Sequence, residues 1–474
     1  MRIAPEIVLC AFGIIIMVAA PFAEHSYTEH KGRKVLDALA VIGTLGALAA
    51  IWFPAHNNGA AFSNVLITDG FSVFVHAIVG VVVLLVILAA PSYLDRERLP
   101  HGEFLALVLF SATGMGVLAG AQELITAFVG LEVSSISSYI LASYRRDNPR
   151  SNEAAMKYFL LGSFATAFFL YGIALVFGST GTTFLPLIDA AATARSTMLT
   201  LGFALLFVGL AFKVAAAPFQ LWTPDVYEGA PAPVTALLST GPKAAAFALF
   251  LRILASVNAA NHIWFWAIWI SAILTMTFGN LTAAVQSNVK RMLAYSSVAH
   301  AGYILVAFAA GNILGVAAAL FYLAAYALMK VGAFTTLAWL GGTGEQNMEI
   351  DDFAGLAHKR PIAAACFSLF LLSLLGMPVT AGFLAKFYVF DAALHGRLIW
   401  LTVILALNTI VGAYYYLRVI VAMYMREPKR EFPSERIPFG VAAVLTLASA
   451  GIIYLGILPS RVMDFAIRAA QHLR

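Results

Sequence analysis

The sequence predicts an all-α polytopic membrane protein of about 14 transmembrane helices. Hydrophobic residues make up 61% of the chain and charged residues only 11%; a soluble domain carries about a quarter charged residues. Mean hydropathy is +0.87. Apolar stretches of roughly 20 residues, the length that spans a bilayer, recur along the 474 residues with only short loops between them.

In chain order, hydropathy predicts spans at 4–22, 35–54, 70–90, 104–121, 122–143, 154–178, 198–221, 232–255, 262–285, 295–311, 312–340, 361–395, 398–425 and 438–460. The first, with Arg2 ahead and an alanine-rich end, superficially matches a secretory leader. Cleavage there would export Lys31, Arg33 and Lys34, against the alternation of basic loops that follows. One set of loops carries Lys31, Arg33, Lys34, Arg96, Arg98, Arg145, Arg146, Arg150, Lys290, Arg291, Lys359, Arg360, Arg426, Lys429, Arg430 and Arg436. The other set has Arg195, Arg252 and Arg397, beside the terminal Arg2, Arg461, Arg468 and Arg474. The positive-inside rule puts the first set in the cytoplasm and both termini on the outer side. The net charge of +5 therefore orients the chain in the lipid bilayer and indicates no nucleic-acid partner.

Two spans read as broken helices. In the first, Pro218 follows Lys213-Val-Ala-Ala-Ala; in the second, Leu375-Gly-Met-Pro-Val-Thr-Ala-Gly382 interrupts an apolar run ahead of Lys386. Proline removes a backbone donor and ends regular helix. Breaks about 160 residues apart fit two inverted five-helix repeats, as in many transporters.

Ionisable residues inside the spans carry the functional signal. A charge at mid-bilayer costs about 2.5–3.5 kcal/mol on insertion scales. Glu132, Lys213, Lys243, His300, Lys330 and Lys386 all fall within predicted spans, and buried groups of both signs suggest a proton path. Glu132 is flanked by serines able to donate hydrogen bonds, and a fixed structural ion pair with a lysine is the alternative reading. Lys243 follows Ser239-Thr-Gly-Pro242, about 11 residues into its span and too deep for easy snorkelling. His300 could relay protons or could simply be hydrogen-bonded. Tyr303, Tyr322 and Tyr326 offer further polar stations, and the case for Lys330 rests on burial alone. Lys157, four residues after Glu153 near a helix start, reads as a topological or structural pair.

Other chemistries find no support. Cys10 and Cys366 lie apart with no histidine or second cysteine at ligand spacing, which argues against iron–sulfur ligation and metal binding. No dinucleotide-binding glycine motif or P-loop occurs. Asn280-Leu-Thr282 matches a glycosylation triplet by chance at a helix end.

The run from Lys213 through Pro218-Phe-Gln-Leu-Trp222-Thr-Pro224-Asp225-Val-Tyr227-Glu228-Gly-Ala-Pro231-Ala-Pro233-Val-Thr235 closely resembles the N subunits of bacterial NADH:quinone oxidoreductase (respiratory complex I). Glu153-Ala-Ala-Met-Lys157-Tyr-Phe159, the stretch from Lys290-Arg291 to His300-Ala-Gly-Tyr303, and Gly382-Phe-Leu-Ala-Lys386-Phe-Tyr388 match in the same order. The resemblance implies three N-terminal helices (1–103), an antiporter-like repeat (104–255), its inverted copy (262–425) and a last helix with tail (426–474). It implies that Glu132 pairs with Lys213 and that Lys243 and Lys386 continue a hydrated proton route. Lys386 separates the chain from the M-type relative, which has glutamate there. Gln220 replaces a histidine found in many relatives, leaving a proton role at that position in doubt. The implied function is proton translocation from the cytoplasm outward, driven by remote quinone reduction, with no cofactor in this chain. FMN, iron–sulfur clusters and quinone belong to partner subunits, and M-type and K-type subunits are the implied neighbours. A multi-subunit cation/proton antiporter subunit is the alternative, and a passive scaffold for peripheral subunits a third reading.

Overall fold

The computed structural model describes residues 2–24, 29–191, 196–256, 261–429, 432 and 436–473. Among these, 13 helices are long and apolar enough to cross a membrane, from Ala4–Ala23 to Phe439–Ile457. The predicted twelfth span is two helices, Pro361–Leu375 and Ala381–His395, joined through a non-helical turn. The predicted seventh span stops at Val214, and the shorter Trp222–Gly229 helix follows after an irregular stretch. Both breaks therefore fall where the prolines put them.

Sequence reading missed two features. Gly59–Ala61 and Leu66–Thr68 form an antiparallel hairpin, and a final helix, Ser460–Gln471, follows the last span. The hairpin is too short for hydropathy windows to resolve. The final helix is amphipathic, burying Met463, Ala466, Ala469 and Ala470, so its mean hydropathy is low.

The loops divide between two faces. Ion pairs and hydrogen bonds tie one face together: Arg33 to Asp95 at 3.5 Å, Arg145 to Glu97 at 3.8 Å, and Arg426 to Asp351 at 2.6 Å. Arg96 reaches the carbonyls of Ala338 and Trp339. This is the face of the predicted basic loops. On the other face the hairpin meets Ala121 through Leu66, and the Gly70 N–H donates to His472 near the C-terminus. Arg252 departs from its predicted loop position. It lies within the Gly241–Ser256 helix and forks onto Asp69 at 2.9 and 3.1 Å, buried. Arg195, Arg430 and Arg474 lie outside the described residues.

Small residues set the helix spacing. A Cβ on Gly302 would lie 2.5 Å from the Met276 backbone nitrogen, so the Val289–Ala309 and Asn261–Ala284 helices touch backbone to backbone. Ala232–Ser256 and Val289–Ala309 are the most enclosed of the spans. Outer helices expose apolar side chains such as Phe159, Phe164 and Tyr171, as a lipid or subunit contact requires.

Lys290, predicted in a loop, is instead almost wholly buried. Its ammonium has three acceptors: Glu345 Oε2 at 2.5 Å, the Ala230 carbonyl at 2.5 Å and the Glu228 carbonyl at 3.0 Å. Glu345 Oε1 in turn accepts from the Tyr93 hydroxyl and the Ala232 N–H. Burial pushes the Glu345 carboxyl up, but the Lys290 charge and these donors outweigh it and hold the group below the ordinary carboxylate range. Glu345→Ala would orphan the Lys290 ammonium, with an expected loss of about 3–5 kcal/mol, read as lower thermal stability of the detergent-solubilised assembly. In the native chain the Glu345 carboxylate's contribution is full above its unfolded pKa and is lost as pH falls through the lower folded value.

Candidate functional site

The Val289–Ala309 helix forms the backbone of the site. Asn288 caps it, its side chain accepting the Arg291 N–H. Leu293, Ser296, Ser297 and His300 follow at helical spacing and share one face. Two lysines from flanking helices bind that face. Lys243 Nζ donates to the Ser297 carbonyl at 2.9 Å and its hydroxyl at 2.8 Å. Lys330 Nζ donates to the Leu293 carbonyl at 2.7 Å and to Ser296 Oγ at 3.0 Å. The Tyr326 ring lies between the two amines, 5.9 Å from Lys243 and 5.7 Å from Lys330, and its hydroxyl donates to Ser297 Oγ.

A continuous hydrogen-bonded chain runs on from Lys330. Ser296 Oγ meets the Tyr416 hydroxyl at 2.5 Å, which meets His300 Nε2 at 3.1 Å; His300 Nδ1 meets the Tyr322 hydroxyl at 2.6 Å. Every link is buried. Hydroxyls both donate and accept, so each can pass a proton on after reorienting. Sequence reading did not single out Ser296, and it missed Tyr416. Its signal was the Tyr414-Tyr415-Tyr416 run inside a span, where hydroxyls buried in protein need partners.

Lys386 stands apart from this chain. Its amine donates at 2.7 Å to the carbonyl of Leu375, the last residue before the break, and lies 5.0 Å over the Tyr303 ring. The break leaves that carbonyl without its helical partner. His300 packs edge-on against the same tyrosine at 5.4 Å. Tyr303 thus separates Lys386 from the histidine, and its hydroxyl is engaged by Asn280 and Asn408. Asn280, the glycosylation triplet's acceptor, is fully buried in that cluster.

Lys213 lies in the last turn before the first break. Protein groups satisfy the broken backbone: the Ala217 N–H donates to Thr275, Ser271 donates to the Ala217 carbonyl, and the Trp222 indole donates to the Phe212 carbonyl. The amine donates to Ser135 Oγ at 2.6 Å and packs against the Tyr139 and Tyr158 rings at 5.3 and 5.6 Å. Glu132 lies one turn away from Ser135 on the same helix, and its buried Oε1 has no hydrogen-bond partner among the described residues. The implied Glu132–Lys213 pair is thus not a direct contact; Ser135 holds the amine. A cavity of ≈ 10 Å³ lined by Ser134, Ser135, Ser138, Lys213 and Pro242 separates Lys213 from the base of the Lys243 helix, near the lower limit for one water at ~10–15 Å³.

None of these four amines pairs with a carboxylate among the described residues. Lys157 does: Glu153 and Asp225 both approach to 2.8 Å, and its side chain is 42% exposed. That pair is the structural one read from sequence, at the rim and not within the interior. Arg291 bridges Asp225 and Glu228 beside it. Burial raises the Asp225 carboxyl, but hydrogen bonds from Lys157 and Arg291 outweigh that and hold it low. Gln220 Oε1 is buried at the first break with no hydrogen-bond partner among the described residues. No cluster of three or more metal-ligating side chains occurs among the described residues.

Residues 121–412 match the family model described as NADH:quinone oxidoreductase/Mrp antiporter, membrane region. The chain is 51% identical, over all of its length and 97% of the relative's, to NADH-quinone oxidoreductase subunit N 2 of Koribacter versatilis. It superposes on a chain of respiratory complex I from Thermus thermophilus with TM-score 0.81 at 33% identity, covering 96% of this chain and 98% of that one.

The chain belongs to the N-subunit family of NADH:quinone oxidoreductase.

A chain of the Mrp complex from Dietzia has the same fold, TM-score 0.86 over all of this chain and 97% of that one, at 21% identity. This N-type subunit is thus a polytopic membrane protein of the antiporter-like architecture.

Ser135→Ala removes the one hydroxyl that holds Lys213. The variant should lose about 1–3 kcal/mol, and combining it with Lys213→Met should recover most of that. A double-mutant cycle on thermal unfolding of the assembled complex reads the coupling.

Proposed function

We propose that this subunit translocates protons across the bacterial inner membrane through its buried lysines and histidine, as part of a proton-pumping NADH:quinone oxidoreductase. The observation that carries the reading is the buried chain Lys330–Ser296–Tyr416–His300–Tyr322. A neutral amine donates two hydrogen bonds and keeps a lone pair; an ammonium donates three. Lys243 and Lys330 each find two protein acceptors, Lys213 and Lys386 one. Such amines can give up and regain a proton without breaking an ion pair.

The route runs from the basic-loop face, taken as cytoplasmic, past Lys243, through the Lys330–His300 chain and outward past Lys386. Both termini then face the periplasm. Glu132 and Lys213 act as the modulating pair: a change in their net charge alters the field at Lys243 across the small cavity. Lifting one charge against 100 mV takes about 2.3 kcal/mol. The chain contributes no redox chemistry; quinone reduction and the FMN and iron–sulfur steps belong to partner subunits, and M-type and K-type subunits flank it in the membrane arm. The broken helices Thr197–Val214 and Pro361–Leu375 occupy corresponding places in the two inverted repeats, 104–255 and 262–425.

Lys330→Met, Tyr416→Phe and Lys213→Met should each assemble yet lower NADH-driven proton uptake into inverted membrane vesicles, by roughly tenfold or more for the lysines. Tyr416→Phe should reduce it less, because the lysines stay in place. Wild-type uptake in both lysine variants would overturn the reading in favour of a passive scaffold.

A further inference from the structure

A second cluster of titratable side chains lies outside this axis, among the N-terminal helices. Glu6 of the Ala4–Glu24 helix and His76 of the Gly70–Glu97 helix meet with Oε1 and Nε2 2.6 Å apart. Glu6 is only 7% exposed. The other ring nitrogen, Nδ1, lies 2.5 Å from the Ser72 carbonyl. A carbonyl only accepts, so Nδ1 carries a hydrogen. One proton then lies on the line between Nε2 and Oε1, belonging either to an imidazolium facing a carboxylate or to a carboxylic acid facing a neutral imidazole. Glu6 Oε2 is buried with no hydrogen-bond partner among the described residues, so it has capacity for another proton.

The neighbouring helix leaves room for the carboxyl. A Cβ on Gly116 would come within 2.9 Å of Glu6 Cγ. The cluster extends toward the Lys243 helix. Asp69 caps the His76 helix, accepting the Ser72 N–H at 2.7 Å, and its carboxylate receives Arg252, nine residues beyond Lys243 on one helix. Arg252 also donates to the Ala119 carbonyl at 3.0 Å. The groups in contact with His76 and its helix end are Glu6, Asp69, Arg252 and His472, the last accepting the Gly70 N–H; the Ser460–Gln471 helix, packed on the same helix through Phe465 and Phe74, also carries Arg461, Asp464 and Arg468. The helices at 29–50 and 102–120 carry Asp37 and Glu103, but these are engaged at the opposite face by His101 and Arg146.

We propose that Glu6 and His76 form a proton-binding site near the face that carries the termini, linked through Asp69 and Arg252 to the end of the Lys243 helix. A proton held there changes the charge at the end of that helix, so occupancy of the site biases release from the axis. The inference rests on the pumping reading above.

The test is the pH profile of NADH-driven proton uptake by the intact complex in inverted vesicles. Glu6→Gln keeps the shape and removes the carboxylate; His76→Gln removes the imidazole. Each should keep uptake at its optimum within about twofold and move one limb of the profile by about one pH unit, a tenfold change in proton affinity. Gly116→Ala retains both titratable groups while crowding the carboxyl, and should move the same limb if Glu6→Gln does not assemble. Profiles of assembled Glu6→Gln and His76→Gln that superpose on wild type would overturn the site; so would a Gly116→Ala profile unchanged from wild type, where Glu6→Gln fails to assemble. Wild-type uptake in Lys213→Met and Lys330→Met would instead remove the pumping reading, whatever these profiles show.

Discussion

The proposed function depends on one constraint: buried lysine amines held by hydroxyls and carbonyls, with no carboxylate in direct contact among the described residues. Lys290 shows what the alternative looks like in the same chain. It has a carboxylate and two carbonyls, a full set for an ammonium. It fastens Glu345 to the Pro231–Ala232 turn. Lys243, Lys330, Lys213 and Lys386 have fewer acceptors and, among the described residues, no carboxylate in direct contact, although the Glu132 charge acts on Lys213. Removing a counter-charge from a buried cation is expensive, and in the proposed mechanism amines without a contacting carboxylate can release a proton without breaking an ion pair.

The helix breaks create two of those sites. Ending a helix inside a membrane protein leaves carbonyls that need donors. At the second break, Lys386 supplies one to Leu375. Gly376, at φ +95°, turns the chain there while its N–H caps Leu372 and Ser373. At the first break, Lys213 sits in the final turn, where the negative end of the helix dipole favours a cation, and Thr275, Ser271 and Trp222 satisfy the freed backbone. Lys243 and Lys330 use a different device. They bind the flank of an intact helix through Ser297 and Ser296, adjacent residues whose hydroxyls diverge to opposite partners.

Much of this was legible in the sequence, for identifiable reasons. Spans follow from hydropathy, and both breaks from Pro218 and Pro378 with their glycine and alanine neighbours. Intramembrane charge is rare enough that Lys213, Lys243, Lys330 and Lys386 stood out. Partner choice was not legible. Nothing in the spacing of Glu132 and Lys213 says that Ser135 comes between them, because the contact depends on how two helices rotate against each other. Lys290 and Arg252 were misread as loop residues for the complementary reason: each lies near a span end, and only the fold shows that a carboxylate from a distant segment meets it. Tyr416 is 116 residues from His300, a separation no periodicity can bridge.

The hydrogen-bonded path is continuous only in the middle. Lys330 to Tyr322 is linked atom to atom, whereas Tyr303 stands between His300 and Lys386 and a cavity stands between Lys213 and Pro242. These two discontinuities differ in kind. An aromatic ring packed edge-on blocks transfer until it rotates or its Asn280 and Asn408 contacts break. A one-water cavity transmits charge without transmitting a proton, since Coulomb interaction across a few ångströms of low dielectric remains strong. In the proposed mechanism the Lys213 end would supply electrostatic control and the Tyr303 end the gate. A pump needs both: a control element that changes the affinity of the central station, and a barrier that keeps the outward and inward connections from being open together.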